Sequence, residues 1–184
     1  MSNARNLANL LGTNTTIQKA KMADSSISTA KLADDAITSA KLPAGCILQV
    51  QNVHFTQRHQ INNNTNRTGL TGQYAVSITP KFSSSKILVQ TNINCIANNT
   101  QTVRAILVRQ PSGGSKVDIA QMGWYQNAAD WDPLNTNFGF LDSPATTTTL
   151  AYFVEWRLQA GNLYINYANT SAGFGANTES RSTI

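Results

Sequence analysis

Between Cys46 and Ala168 the apolar residues return at every second position, in short runs bounded by Gly, Pro, Asn and Ser, which is the spacing of half-buried strands. "KILVQTNINCIA" is the clearest run: Ile87, Val89, Thr91, Ile93, Cys95 and Ala97 share one side, and Gln90, Asn92 and Asn94 the other. "CILQVQNVHF" offers Ile47, Val50, Val53 and Phe55 with a less strict spacing, and "QYAVSIT" ends at Pro80. "TVRAILVR" and "VDIAQMGWY" flank "QPSGGSK", a loop of the kind that joins hairpin strands. "NFGFLD", "LAYFVEWRLQ" and "LYINYA" complete the series, with "AGN" a tight turn between the last two. About eight short strands with no helical period predict an all-β head, a β-sandwich of jelly-roll type, over residues 44–184.

The N-terminal quarter follows other periods. "SNARNLANLLG" predicts a short helix within residues 1–16: Ser2 caps it, Ala4, Leu7, Ala8 and Leu11 form a stripe, and Gly12 ends it. A helix this short is marginal alone. Its face, with Leu7, Leu10 and Leu11, therefore reads as a docking peptide for a larger body.

Residues 17–43, "IQKAKMADSSISTAKLADDAITSAKLP", repeat every ten positions, and Ile17, Met22, Ile27, Leu32, Ile37 and Leu42 recur every five. Five residues on a helix advance about 500°, so these side chains would trace no stripe. An odd spacing on a strand sends successive ones to opposite faces, and no heptad is present. A lone chain cannot bury that pattern. An extended chain wound with copies of itself can, the alanines between allowing close approach and "ADSS" and "ADDA" supplying turns. At about 3.3 Å per residue the segment would reach at most about 90 Å. The expectation is a shaft of intertwined copies, and the rival a tether.

Composition agrees with the β reading. The apolar share is 41%, but only 12% of residues are charged, and 20 Asn and 21 Thr supply the polarity instead. Such residues favour strands and loops over helices. The net charge of +5 is spread thinly: residues 1–43 hold five basic and three acidic side chains, the rest nine and six. No basic face with interleaved aromatics stands out, so no nucleic-acid partner is expected. Two cysteines exclude a four-cysteine zinc site and a disulfide-rich scaffold. Cys46 and Cys95 read as small apolar side chains, with a bond between them left open. No apolar run suits a signal peptide or a membrane span, so the expectation is synthesis in a cytoplasm and no membrane insertion.

Chemistry is sparse. His54 and His59 diverge on a strand and belong to no triad pattern, although a histidine on a symmetry axis could bind a metal through its copies. Asp130 and Asp132 have the alternation of a calcium loop without the EF-hand pattern, and with Glu155 they are the carboxylates a glycosidase reading would need. Neither reading has enough behind it, so no catalytic residue, metal or cofactor is expected. Trp124, Tyr125 and Trp131 lie amid Asn, Gln and Asp, as in sugar-binding surfaces; the competing reading packs the tryptophans in the core or between subunits.

"LPAGCILQVQNVHF", "VSITPKFSSSKILVQTNI", "FLDSPATTTTLAYFVEWRLQAGNLYINYA" and the closing "ESRSTI" resemble successive segments of a virion-protein family of tailed bacteriophages, especially phages of marine bacteria, described as tail-fibre or virion structural proteins. "ARNLANLLG" followed by "TAKL" decads is similar to their leader. The resemblance implies a homotrimeric appendage with an N-terminal shaft, a β-rich distal head and no enzymatic activity. It implies a virion location, with the N-terminus docked on other virion proteins and the heads free to meet a host-surface glycan or protein. Relatives continue beyond "STI" into another apolar strand, so the last strand is expected to be short or completed by a neighbouring chain. Rival readings are a capsid decoration or head-fibre protein with purely structural contacts, and a lectin-like carbohydrate-binding module.

Overall fold

Residues 101–126 form a long hairpin ladder. β7 (Gln101–Pro111) and β8 (Val117–Gln126) pair antiparallel from Gln101 opposite Gln126 to Arg109 opposite Val117, with Ile119 bulged out of register beside Leu107 and Val108. The turn between them needs Gly113, whose φ of 71° lies in the left-handed region, and Gly114 N donates to Pro111 O at 2.9 Å. This computed structural model describes residues 41–42, 45–62, 67–69, 74–98, 101–126, 132–167 and 182–183. Among the described residues there is no α-helix. The chain divides into two compact units, Met1–Cys46 and Ile47–Ile184. Of the first, Leu42 is 38% exposed and Gly45 has a φ of 93°. Leu7, Leu10, Leu11, Ile17, Met22, Ile27, Leu32 and Ile37 lie outside the described residues.

The second unit is all antiparallel. The remaining strands are β1 (His54–Phe55), β2 (His59–Ile61), β3 (Thr68–Gly69), β4 (Val76–Ile78), β5 (Ile87–Gln90), β6 (Ile93–Asn98), β9 (Asp132–Thr136), β10 (Gly139–Asp142), β11 (Leu150–Leu158), β12 (Asn162–Ile165) and β13 (Ser182–Thr183). One sheet runs β3-β11-β7-β8, with β4 also on β11; a second runs β2-β12-β6-β9; β10 pairs with β5, and β1 with β13. The short turn at Gln159–Gly161, where Gly161 has a φ of 65°, carries the chain from the first sheet to the second.

The core between the sheets follows the alternation. β11 contributes Leu150, Tyr152, Val154, Trp156 and Leu158, β7 contributes Val103, Ala105 and Leu107, β6 contributes Ile93, Cys95 and Ala97, and β12 contributes Leu163 and Ile165, all buried in one cluster. This is a two-layer arrangement consistent with a β-sandwich. Among the described residues Trp156 Nε1 is the one buried side-chain polar atom without a partner.

Two runs depart from the simple pattern. "KILVQTNINCIA" keeps its inward side throughout, but its ladder breaks at Thr91. There Thr91 N donates to Phe138 O and Phe138 N donates to Thr91 Oγ1, both at 2.9 Å. The registers on either side agree, Gln90 opposite Gly139 and Ile93 opposite Thr136, so β5–β6 and β10–β9 are one strand pair interrupted by a side-chain hydrogen bond. Ile47 and Val50, by contrast, are 82% and 77% exposed, and the first ladder begins only at His54. Three residues apart, they could not have shared a face of one strand.

Asn166 ties the end of β12 to β6 and to the segment between β1 and β2. It is fully buried with a φ of 58°, receives its place from N donating to Asn94 O at 3.0 Å, and donates from Nδ2 to Phe55 O at 3.2 Å and Gln57 O at 3.1 Å. Asn tolerates the left-handed region better than other side-chain-bearing residues. Asn166→Ala should lose about 2 kcal/mol in urea unfolding, since two carbonyls lose their donor and the backbone becomes strained. A loss under about 0.5 kcal/mol would show that water replaces the amide.

Candidate functional site

The outward face of the five-stranded sheet holds the polar and charged positions of β7, β8 and β11. Strand alternation settles the aromatic group: Trp124 lies opposite Val103 and packs on the core, whereas Tyr125 lies opposite Thr102 on the outward face and is 68% exposed. Trp131 lies outside the described residues, as does Asp130. Trp124 is thus a packing residue, and of the expected aromatic surface Tyr125 remains. Adjacent residues on a strand point to opposite sides, a signal the bare sequence already carried.

Beside Tyr125 the same face presents two arginines that no sequence motif marks. Arg104 on β7 and Arg157 on β11 are directly opposite in the ladder, and both are exposed. On β8 the position opposite Arg104 is Gly123, which contributes no side chain. Thr102, Arg104, Arg157, Leu158 and Gln159 line a shallow groove.

Further along, the face turns apolar and then charged. Ile106, Val108 and Phe153 are buried there, with Ala75 and Ala151 against them. Glu155, the glycosidase candidate, is opposite Ile106, and its side chain is only 3% exposed. It accepts from Lys116 Nζ at 2.6 Å and pairs with Arg67 Nη2 at 2.7 Å. Arg67 also donates to both oxygens of Asp118, at 2.7 and 2.9 Å. The Asp118 hydrogen bond, with the nearby Glu155 charge, raises the Arg67 pKa further against its burial. A carboxylate held by two cations is a clamp between β11 and the residues that lead into β3 and β8, not a base facing an open cleft.

A second carboxylate is buried at the edge of the core. Asp142 accepts from Arg109 Nη1 at 2.8 Å on each oxygen, from Tyr152 Oη at 2.6 Å and from Ser143 N at 2.9 Å. Burial, and then the bond to Asp142, hold the Tyr152 phenol well above its ordinary pKa.

The histidines stand apart from these groups. His54 is exposed, and His59 is half-buried with its ring 6.3 Å from that of Tyr74. Among the described residues no three His, Cys, Asp or Glu side chains gather closely enough to hold a metal ion. Both thiols are free, Cys46 exposed and Cys95 buried. Burial pushes the Cys95 thiol up to about 12 from 9.0, with its contact to Thr136 acting weakly the other way. Between those values the folded state keeps a proton that the unfolded chain releases, so stability falls as pH rises. One such group accounts for about 1.4 kcal/mol per pH unit. Unfolding measured from pH 8.5 to 10 should therefore show a slope that Cys95→Ala makes visibly shallower; equal slopes would rule Cys95 out as its source.

No family model matches the chain, and no curated protein does. Among solved structures it is similar to that of the infectious bursal disease virus Gx strain, with a TM-score of 0.34 and 9% identity over 72% of this chain and 36% of that one. The Gt strain structure gives 0.31 and 11% over 73% and 34%. The chain thus spans about a third of the length of either viral chain. The C-terminal family 22 carbohydrate-binding module of Clostridium thermocellum Xyn10B gives 0.27 and 12% over 72% and 84%. Likenesses this slight decide neither fold family nor function.

Proposed function

We propose that the chain is a non-enzymatic structural component of a bacteriophage virion, a homotrimeric fibre-like appendage. In this reading the N-terminal helix docks on other virion proteins, residues 17–43 form an intertwined shaft, and the head faces outward toward the host surface. The observation that carries it is the five-residue apolar period from Ile17 to Leu42, which no single helix or strand can bury and which symmetry mates can. The phrases "ITPKFSSSKILV" and "FLDSPATTTT", with their resemblance to phage virion proteins, point the same way.

The head adds two supports. With β5–β6 and β9–β10 each taken as one strand and β3–β4 as another, the eight strands from β2 to β12 stand in the orders 1-8-3-6 and 2-7-4-5. That is the winding of a jelly roll, a fold common in capsid and lectin domains. Leu88 and Leu141, directly opposite each other on β5 and β10, are 60% and 56% exposed, and apolar side chains this open suit a subunit contact.

Light scattering of the full chain in dilute buffer should return about 60 kDa, three copies of the 19.9 kDa chain. Ile27→Asp, which would put three carboxylates near the shaft axis, should lower that mass toward one copy. A wild-type monomer would overturn the assembly. Imaging of the particle distinguishes a tail position from capsid decoration.

A further inference from the structure

Like charges set directly opposite each other weaken a ladder, yet Arg104 and Arg157 occupy such a pair. The acidic side chains on the same face are engaged elsewhere: Glu155 with Lys116 and Arg67, Asp118 with Arg67. Among the described residues neither guanidinium has a carboxylate partner. Gly123 opposite Arg104 leaves their approach open on the β8 side, and Tyr125, two positions further along β8, presents an exposed ring. Thr102 and Gln159, joined by a hydrogen bond from Gln159 N to Thr102 O at 3.1 Å, complete the groove with a hydroxyl and an amide.

We propose that this groove binds an acidic saccharide, a glycan carrying a carboxylate or a sulfate ester. Guanidinium groups match planar oxyanions with paired N–H donors, and two side by side can hold one anion or successive ones along a polymer. The Tyr125 ring offers an apolar face to sugar C–H groups, while the hydroxyl and amide reach ring hydroxyls. These elements together favour a saccharide over a plain polyanion, for which a broader basic surface would be needed. The inference deepens the host-attachment reading and rests on it for the biological partner, but not for the binding itself. Three heads on one shaft would multiply a weak single-site affinity.

The test titrates the full chain by calorimetry at low salt with an oligogalacturonate, a sulfated heparin-derived oligosaccharide, a neutral maltohexaose and a short duplex DNA. The expected result is saturable binding of at least one acidic oligosaccharide, the carboxylate and sulfate arms showing which anion is preferred, and none of the neutral sugar. Arg104→Gln with Arg157→Gln should weaken it at least tenfold and Tyr125→Ala severalfold, with melting temperatures unchanged or raised. Lys81→Gln with Lys86→Gln removes the same charge elsewhere and should change affinity less than twofold. No saturable binding, DNA bound as tightly as the sugar, or an equal loss in the lysine control would overturn the proposal. Scattering on the same samples reports assembly separately: binding by a monomer would overturn the trimer and leave the groove standing.

Discussion

Asp142→Ala should destabilise the head by about 3–5 kcal/mol, the range for removing one partner of a buried ion pair. Its side chain is 8% exposed and that of Arg109 only 18%, so the guanidinium stranded by the substitution cannot turn freely to water. Tyr152, fully buried, would lose the acceptor for its hydroxyl, and Ser143 N the acceptor at the loop start. These contacts tie β10 to the β7–β11 pair, which belongs to another sheet. Tyr152→Phe removes only one donor and should cost about 1–2 kcal/mol. Arg109→Leu on the Asp142→Ala background should recover part of the loss, because the unpaired charge goes with it. Urea unfolding measures all four states, and an Asp142→Ala loss below about 1 kcal/mol would mean the cluster is better hydrated than its burial implies.

The same residue shows where the sequence was readable. Strand existence and facing followed from period two, because alternation is local chemistry: Ile87 to Ala97 kept one inward side across a break in hydrogen bonding that alternation cannot reveal. The break itself came from Thr91 meeting Phe138, 47 residues away. Asp142, Glu155 and the Arg104–Arg157 pair were illegible for the same reason. Their character depends on which residue stands opposite, and pairing across β7 and β11 joins positions about fifty apart in sequence. "FLDSPATTTT" was conspicuous as a phrase, but that its aspartate anchors an arginine and a tyrosine needed the register. The aromatic trio fared otherwise: neighbours Trp124 and Tyr125 on one strand could never have shared a surface, and the structure turns the first inward and the second out.

Glu155→Ala should cost less than Asp142→Ala, about 2–3 kcal/mol, even though the carboxylate is the more deeply buried of the two. The difference lies in the partners. The Lys116 and Arg67 side chains are 44% and 35% exposed, so both cations can rehydrate when the carboxylate leaves, whereas Arg109 cannot. What remains is a hole beside Ile106, Val108 and Phe153, together with the loss of the anchor that holds Lys116 over the Phe153 ring at 5.4 Å. Glu155→Leu should therefore recover at least half of the loss, since an apolar side chain continues that buried patch while the cations turn outward. Added salt separates the two contributions: the exposed Arg67–Asp118 pair is screened, and the buried carboxylate much less so. The gap between wild type and Glu155→Ala should then persist at 1 M salt, and its disappearance would show that the clamp is a surface ion pair after all.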